Sequence, residues 1–149
     1  MSVTETEYLN LARAARRGLR VLVVDDNEPN RQVLTFVLER LLATVITAEN
    51  GAEAVNKYGP EFDLVLMDLR MPVMDGFEAM KRIRAAEARN AGPRVPIIVT
   101  SAHTTPMDMQ RARDAGADDH LGKPLHIPTL LKTIDSALAP CILPSAKEA

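Results

Sequence analysis

The chain has 149 residues, long enough to bury a core without disulfide or metal staples. Hydrophobic residues at 46% and charged residues at 26% describe an ordinary soluble domain, and a formal net charge of -2 gives no electrostatic case for nucleic acid. The single Cys141 excludes an internal disulfide and suits a reducing cytoplasm, no apolar run has the length of a membrane span, and Glu5, Glu7 and Arg13 stand where a signal peptide needs an apolar centre.

Residues 1–19 read as an N-terminal helical extension. Thr4 and Glu7 have capping-box spacing, Arg16 and Arg17 occupy the last turn, and Gly18 stops it. From Arg20 onward strand and helix patterns alternate. Arg20–Val24 is a short β-branched run that ends on Asp25 and Asp26. A helix follows from the Asp26–Pro29 turn, with Val33, Leu34, Val37, Leu38 and Leu41 at helical spacing. Thr44–Ala48 is a second strand, Asn50-Gly51 a turn, and a short helix then runs to Tyr58, ended by Gly59-Pro60. The run Leu64–Met67 is the third strand and ends on Asp68. After a loop broken by Pro72 and Asp75-Gly76, Phe77, Met80 and Ile83 mark one face of a third helix. Val95–Thr100 is a fourth strand. Met107–Ala115 is a helix with a weak apolar stripe, stopped by Gly116, and Asp119–Leu121 is a short fifth strand. Ile127, Leu130, Leu131, Ile134 and Leu138 mark the last helix, and residues 140–149 are expected to form a disordered tail.

Five apolar strands alternating with five helices predict an α/β fold, a doubly wound parallel sheet in one domain over residues 20–139. Ligands of such sheets bind at the carboxyl edge of the strands, where Asp25, Asp26 and Asp68 all fall. Three carboxylates at one edge can hold a divalent cation, and one of them can act as a nucleophile. Taken singly, each residue has a plainer alternative: Asp25 as a helix cap, Asp26 as a turn residue, Asp68 as a loop acid, Lys123 as a solvated surface lysine. Asp75-Gly76 reads as a turn and helix start.

Val23-Val24-Asp25-Asp26-Asn27, the stretch Met67-Asp68-Leu69-Arg70-Met71-Pro72-Val73-Met74-Asp75-Gly76, Ser101 and Lys123-Pro124 together resemble the receiver domain of bacterial response regulators, in the manner of chemotaxis regulators, over about residues 20–139. The resemblance implies a flavodoxin-like five-stranded sheet of order 2-1-3-4-5. It implies that Asp68 accepts a phosphoryl group from a histidine kinase or a histidine phosphotransfer protein. Asp25, Asp26, Asp68 and the backbone carbonyl of Arg70 would hold Mg2+, or Mn2+, to screen the donor's charge. Lys123 would face the phosphoryl charge across a cis Lys-Pro bond, and Ser101, not Thr100, would be the switch hydroxyl.

His120 stands where the family usually has tyrosine or phenylalanine, so either the switch is weakened or pH-sensitive, or His120 is a half-exposed histidine with no such role. Arg70 and His103, two residues beyond Asp68 and Ser101, border the path of the hydrolytic water in the family. Either they obstruct it and self-dephosphorylation is slow, or they are solvent-exposed and neutral. Output would pass to a downstream protein through the surface of the fourth helix, fifth strand and fifth helix. Neither nucleic acid nor membrane is expected as a partner, and the oligomeric state stays open.

Three other functions fit less well. An aspartyl-phosphate hydrolase of the dehalogenase class needs a second acid where Arg70 stands. Dinucleotide binding needs a glycine-rich turn where Asp25-Asp26-Asn27-Glu28-Pro29 stands. A receiver-like scaffold that only binds partners has no evident use for the retained acids and Lys123. The stretch beyond residue 139 is too short for a DNA-binding output domain. Met1 and the added helix favour a protein standing alone over a receiver excised from a hybrid kinase.

Overall fold

In the computed structural model, residues 18–102 and 105–142 are described. Residues 1–17, which are nearly all of the N-terminal extension, His103, Thr104 and residues 143–149 lie outside the described residues. The elements run β1 (Arg20–Val24), α1 (Glu28–Arg40), β2 (Thr44–Ala48), α2 (Gly51–Lys57), β3 (Leu64–Asp68), α3 (Gly76–Arg89), β4 (Ile97–Ser101), α4 (Pro106–Ala115), β5 (Asp119–Gly122) and α5 (Ile127–Ile142). All strand pairs are parallel, in the order β2-β1-β3-β4-β5. This is the five-stranded, flavodoxin-like sheet expected from the sequence.

The alternation of side chains along each strand divides the core in two. Val21, Val23, Leu64, Leu66, Ile98 and Leu121 pack under Leu34, Val37, Leu38 and Leu41 of the α1 region and Leu130, Leu131, Ile134 and Leu138 of α5. Leu22, Val24, Val65, Met67, Ile97 and Val99 pack on the other face, under α2, α3 and α4. Because β3 and β4 are covered on both faces, every one of their residues is buried, which is why their sequences are continuous apolar runs rather than alternating ones. β2 and β5 are the edges, and their exposure is correspondingly higher.

Several details differ from the sequence reading. Val33 was expected on the buried stripe of α1 but is 52% exposed, because the stripe is narrower than the spacing suggests. β4 begins at Ile97, since Pro96 has no N–H to give and the Val95 N–H is taken by Glu87. α5 continues to Ile142, so residues 140–142, assigned to the tail by sequence, are helical. No helix among the described residues is long and apolar enough to cross a membrane.

At the amino edge of the sheet, Arg84 of α3 fastens the helix layer to the strands. Its guanidinium donates to the carbonyls of Gly116 (2.7 and 3.0 Å) and Val95 (2.7 Å), and to Glu87 and Asp118 (both 2.8 Å). Asp118 also accepts from the Ile97 N–H, and Glu87 from the Val95 N–H and the Tyr58 hydroxyl. Burial works to raise the Glu87 carboxyl, but these hydrogen bonds and Arg84 outweigh it and hold the group below its usual range. The Tyr58 phenol is pushed up, first by burial and then by its bond to Glu87. Gly116 allows the close approach: its φ is +119°, and a Cβ there would meet Arg84 Cγ at 2.6 Å.

Replacing Arg84 with methionine removes the cation that Glu87 and Asp118 share and leaves them only the Val95, Tyr58, Ile97 and Arg94 donors, so the protein should lose about 2–4 kcal/mol. A fall in the urea midpoint at unchanged slope is the expected reading, with the acidic edge unaffected.

Candidate functional site

β1 and β3 are neighbours in the sheet, although β2 and two helices separate them in sequence. The chain therefore leaves two adjacent strands in opposite directions, and a crevice opens at their carboxyl ends. Asp25 and Asp26 follow β1 directly and Asp68 ends β3. Each offers a carboxylate oxygen, and the three oxygens lie within 4.8 Å of one another. The sequence-predicted acids are thus brought together, Asp25 and Asp68 buried and Asp26 exposed.

Asp25 is not the cap of α1. Asn27 is: its side-chain oxygen accepts the Asn30 N–H at 2.9 Å. The Asp25 carboxylate accepts from the Asn27 N–H at 2.9 Å, from Asn30 Nδ2 at 3.3 Å and from Lys123 Nζ at 2.8 Å. Arg31 donates to the Asp25 carbonyl at 2.7 Å. Sequence reasoning missed Asn30 and Arg31. Their signal was their position one helical turn past the acids, where α1 turns its first side chains back onto the strand end.

Lys123 follows β5 and is only 17% exposed at its side chain, so it is no solvated lysine. Its ammonium stands 2.8 Å from Asp25 Oδ2 and 3.4 Å from Asp68 Oδ1. The Lys123 N–H donates to the Ser101 carbonyl at 2.9 Å, and the Lys123–Pro124 bond is cis. Ser101 closes β4 and is buried. Thr100, in register with Asp68, is fully buried with an unpartnered hydroxyl.

Asp68 itself is 5% exposed. Its Oδ1 accepts the Leu69 N–H at 2.9 Å. Gly76 seats the following loop against it: the Gly76 N–H donates to the Leu69 carbonyl, and a Cβ at Gly76 would collide with the Asp68 carbonyl oxygen. Asp75 caps α3 by accepting the Glu78 N–H at 2.9 Å, the structural role expected of it. Burial pushes the Asp68 carboxyl up to about 6; Lys123 pulls it down, while Asp25 and Asp26 add to the rise.

Of the tuning positions, Arg70 is half exposed and pairs with Asp108 at 3.0 Å. His120 is exposed on the edge strand β5. His103 lies outside the described residues.

The donor set suits a hard cation: three carboxylates at a spacing one ion can draw together, with room on the exposed Asp26 side for the waters that Mg2+ retains. Ionised, the acids and Lys123 sum to two negative charges, which a divalent ion neutralises. The fit is one of charge, ligand hardness and spacing.

The raised Asp68 pKa sets a pH dependence. A carboxyl whose folded value lies above its unfolded 3.8 favours the folded state most below about pH 4, and that contribution is lost as pH rises through about 6. Without metal, Asp68→Asn should therefore exceed wild type in stability by about 1–3 kcal/mol near pH 7, with the gap closing toward about pH 4. Saturating Mg2+ should raise the wild-type Tm and leave that of the variant nearly unchanged.

A family model described as the response regulator receiver domain matches residues 21–135. The sensor protein GacS of Pseudomonas syringae pv. syringae is 43% identical over 110 residues, which are 73% of this chain and 12% of that protein. This chain thus spans a small part of that relative. A chain from the co-crystal structure of the Saccharomyces cerevisiae phosphotransfer protein Ypd1 with the Ssk1 receiver domain superposes with a TM-score of 0.79 at 34% identity, covering 85% of this chain and 93% of that one. The receiver domain of the Arabidopsis thaliana histidine kinase CKI1, complexed with Mg2+ and BeF3-, gives 0.78 at 33% identity, covering 88% and 97%. These similar proteins come from a bacterium, a yeast and a plant, so the likeness is wider than the bacterial regulators.

Proposed function

Because the chain belongs to the response regulator receiver domain family, we propose that it is a phosphoacceptor of a two-component system or phosphorelay, with Asp68 as the acceptor. The observation that carries this reading is the Lys123 ammonium held between the buried Asp25 and Asp68. A carboxylate attacking a phosphoryl group meets an anion. It needs positive charge on both sides of the new bond, and Lys123 and a divalent cation supply it.

Asp25, Asp26, Asp68 and the Arg70 carbonyl would hold Mg2+, or Mn2+ in its place. The metal supplies charge screening for donor and acceptor. Asp68 is the nucleophile: one carboxylate oxygen bonds phosphorus as the phosphohistidine P–N bond breaks, and the electron pair leaves with the imidazole nitrogen. Burial makes Asp68 a costly anion, so its charge is better used in the new bond than left alone. Lys123 then turns to the phosphoryl oxygens, and the Ser101 hydroxyl donates to one of them, drawing the β4–α4 connection inward.

The donor is a histidine kinase or a histidine phosphotransfer protein, met in the cytoplasm. It would approach over α1: Val33 borders a recess of about 230 Å³ with Asn30, Lys123, Pro124 and Leu125, and Phe36, one turn on, is 63% exposed. Output would use the α4–β5–α5 surface, where Met107 is 80% exposed. The receiver unit would run from Arg20 to the end of α5 at Ile142, with the N-terminal extension preceding it. His120, exposed and smaller than the aromatic usual in the family, would weaken the coupling.

The test is intact mass after exposure to a small phosphodonor with Mg2+. One added phosphoryl group is expected, and none in Asp68→Asn or after removal of the metal by chelation. No uptake by wild type would favour a scaffold that binds partners unphosphorylated.

Self-dephosphorylation should be slow, since Arg70, two residues past Asp68, would obstruct the path of the hydrolytic water. Arg70→Asn is expected to shorten the phosphoryl half-life severalfold in a single-turnover decay, and an unchanged half-life would remove that role from Arg70.

A further inference from the structure

The Arg70 side chain is engaged outside the acidic cluster. Its guanidinium donates to Asp108 Oδ1 at 3.0 Å, with Asp108 16% exposed and Arg70 50%. Asp108 is in the first turn of α4, where its N–H is capped by the Thr105 hydroxyl at 3.1 Å and the helix end favours its negative charge. One turn further, Arg111 lies 3.9 Å from the centre of the Phe77 ring, and Arg70 lies 5.7 Å from the same ring. Phe77 is buried at the start of α3. Four side chains therefore clamp the loop after Asp68, the first turn of α3 and the first two turns of α4. Phosphoryl transfer itself uses none of these contacts.

A half-exposed ion pair stabilises a fold little, so the importance of this one is where it holds its partners. Arg70 is two residues past Asp68, so a phosphoryl group on Asp68 would compete with Asp108 for its guanidinium. We infer that Asp108 is a positioning residue for Arg70, and that the pair straps α4 to the acceptor loop until a phosphoryl group on Asp68 takes the guanidinium. The phosphoryl group outbids the carboxylate because it brings nearly two negative charges and three strong acceptor oxygens against one charge and two oxygens. Loading Asp68 then frees the start of α4. This inference rests on Asp68 being the acceptor.

Calorimetric titration of the full chain with beryllofluoride in saturating Mg2+ tests it, on wild type, Asp108→Asn, Arg70→Gln and the double variant. Asp108→Asn removes the competitor for the guanidinium and should bind about two- to fivefold tighter. Arg70→Gln should bind more weakly than wild type, and in that background Asp108→Asn should make no further difference. Asp108→Glu should return to the wild-type affinity. Equal tightening by Asp108→Asn in both backgrounds would mean that its charge acts through space without Arg70, and unchanged or weaker binding in Asp108→Asn alone would mean that the pair survives loading. Either result overturns the strap. Absence of binding by wild type would instead overturn the acceptor reading, and the strap with it.

Discussion

The site is organised by a shortage of positive charge. Two carboxylates, Asp25 and Asp68, are buried at the crevice between β1 and β3, and one ammonium, Lys123, stands between them at 2.8 and 3.4 Å. Lys123 offsets one buried charge, and Asp26 adds a third acid at the rim. The metal-free site is therefore left net negative in a place where negative charge is expensive, and the raised Asp68 carboxyl is the measure of that cost. A divalent cation would relieve it, and under the proposed phosphoryl transfer it would also screen the added charge of the acyl phosphate, nearly two negative charges in place of one. The same imbalance would draw a divalent cation to the three acids.

The sheet makes this imbalance possible. Every residue of β3 and β4 is buried, so the strand ends are fixed by packing on both faces and the acids cannot drift apart to lower their repulsion. At the other edge, Arg84 fastens α3 to the starts of β4 and β5. The packed strands end where the acids stand, and the loop after Asp68 is seated by Gly76. Arg70, Asp108, Phe77 and Arg111 join that loop and the start of α3 to the start of α4.

Much of this was legible in the sequence because the responsible forces act over short distances along the chain. Apolar runs ending on acids gave the buried strands, and Gly116 and Asp75-Gly76 marked a real helix stop and start. The three acids and Lys123 could be assembled because strand order in a doubly wound sheet puts the ends of the first and third strands side by side. What was not legible depends on which distant side chains meet. Nothing in the spacing of Arg84 announces Gly116 or Asp118, more than 30 residues on, nor does Arg70 announce Asp108, 38 residues away. Val33 has helical spacing with the core residues of α1 yet faces solvent, because periodicity gives a face and not its width. Asp25 is a good cap on paper, and only its burial beside Lys123, with Asn27 accepting the Asn30 N–H, excludes it.

The most direct measurement of the central claim follows the side-chain carboxyl carbon of Asp68 by NMR through an acid titration, first without metal and then with saturating Mg2+. If burial beside a single ammonium governs the site, this carbon titrates near 6 without metal, and Mg2+ drives its midpoint well below the ordinary aspartate range. A midpoint at the ordinary value, unmoved by Mg2+, would contradict that claim, because Asp68 would then be neither strained by its burial nor a ligand of the cation.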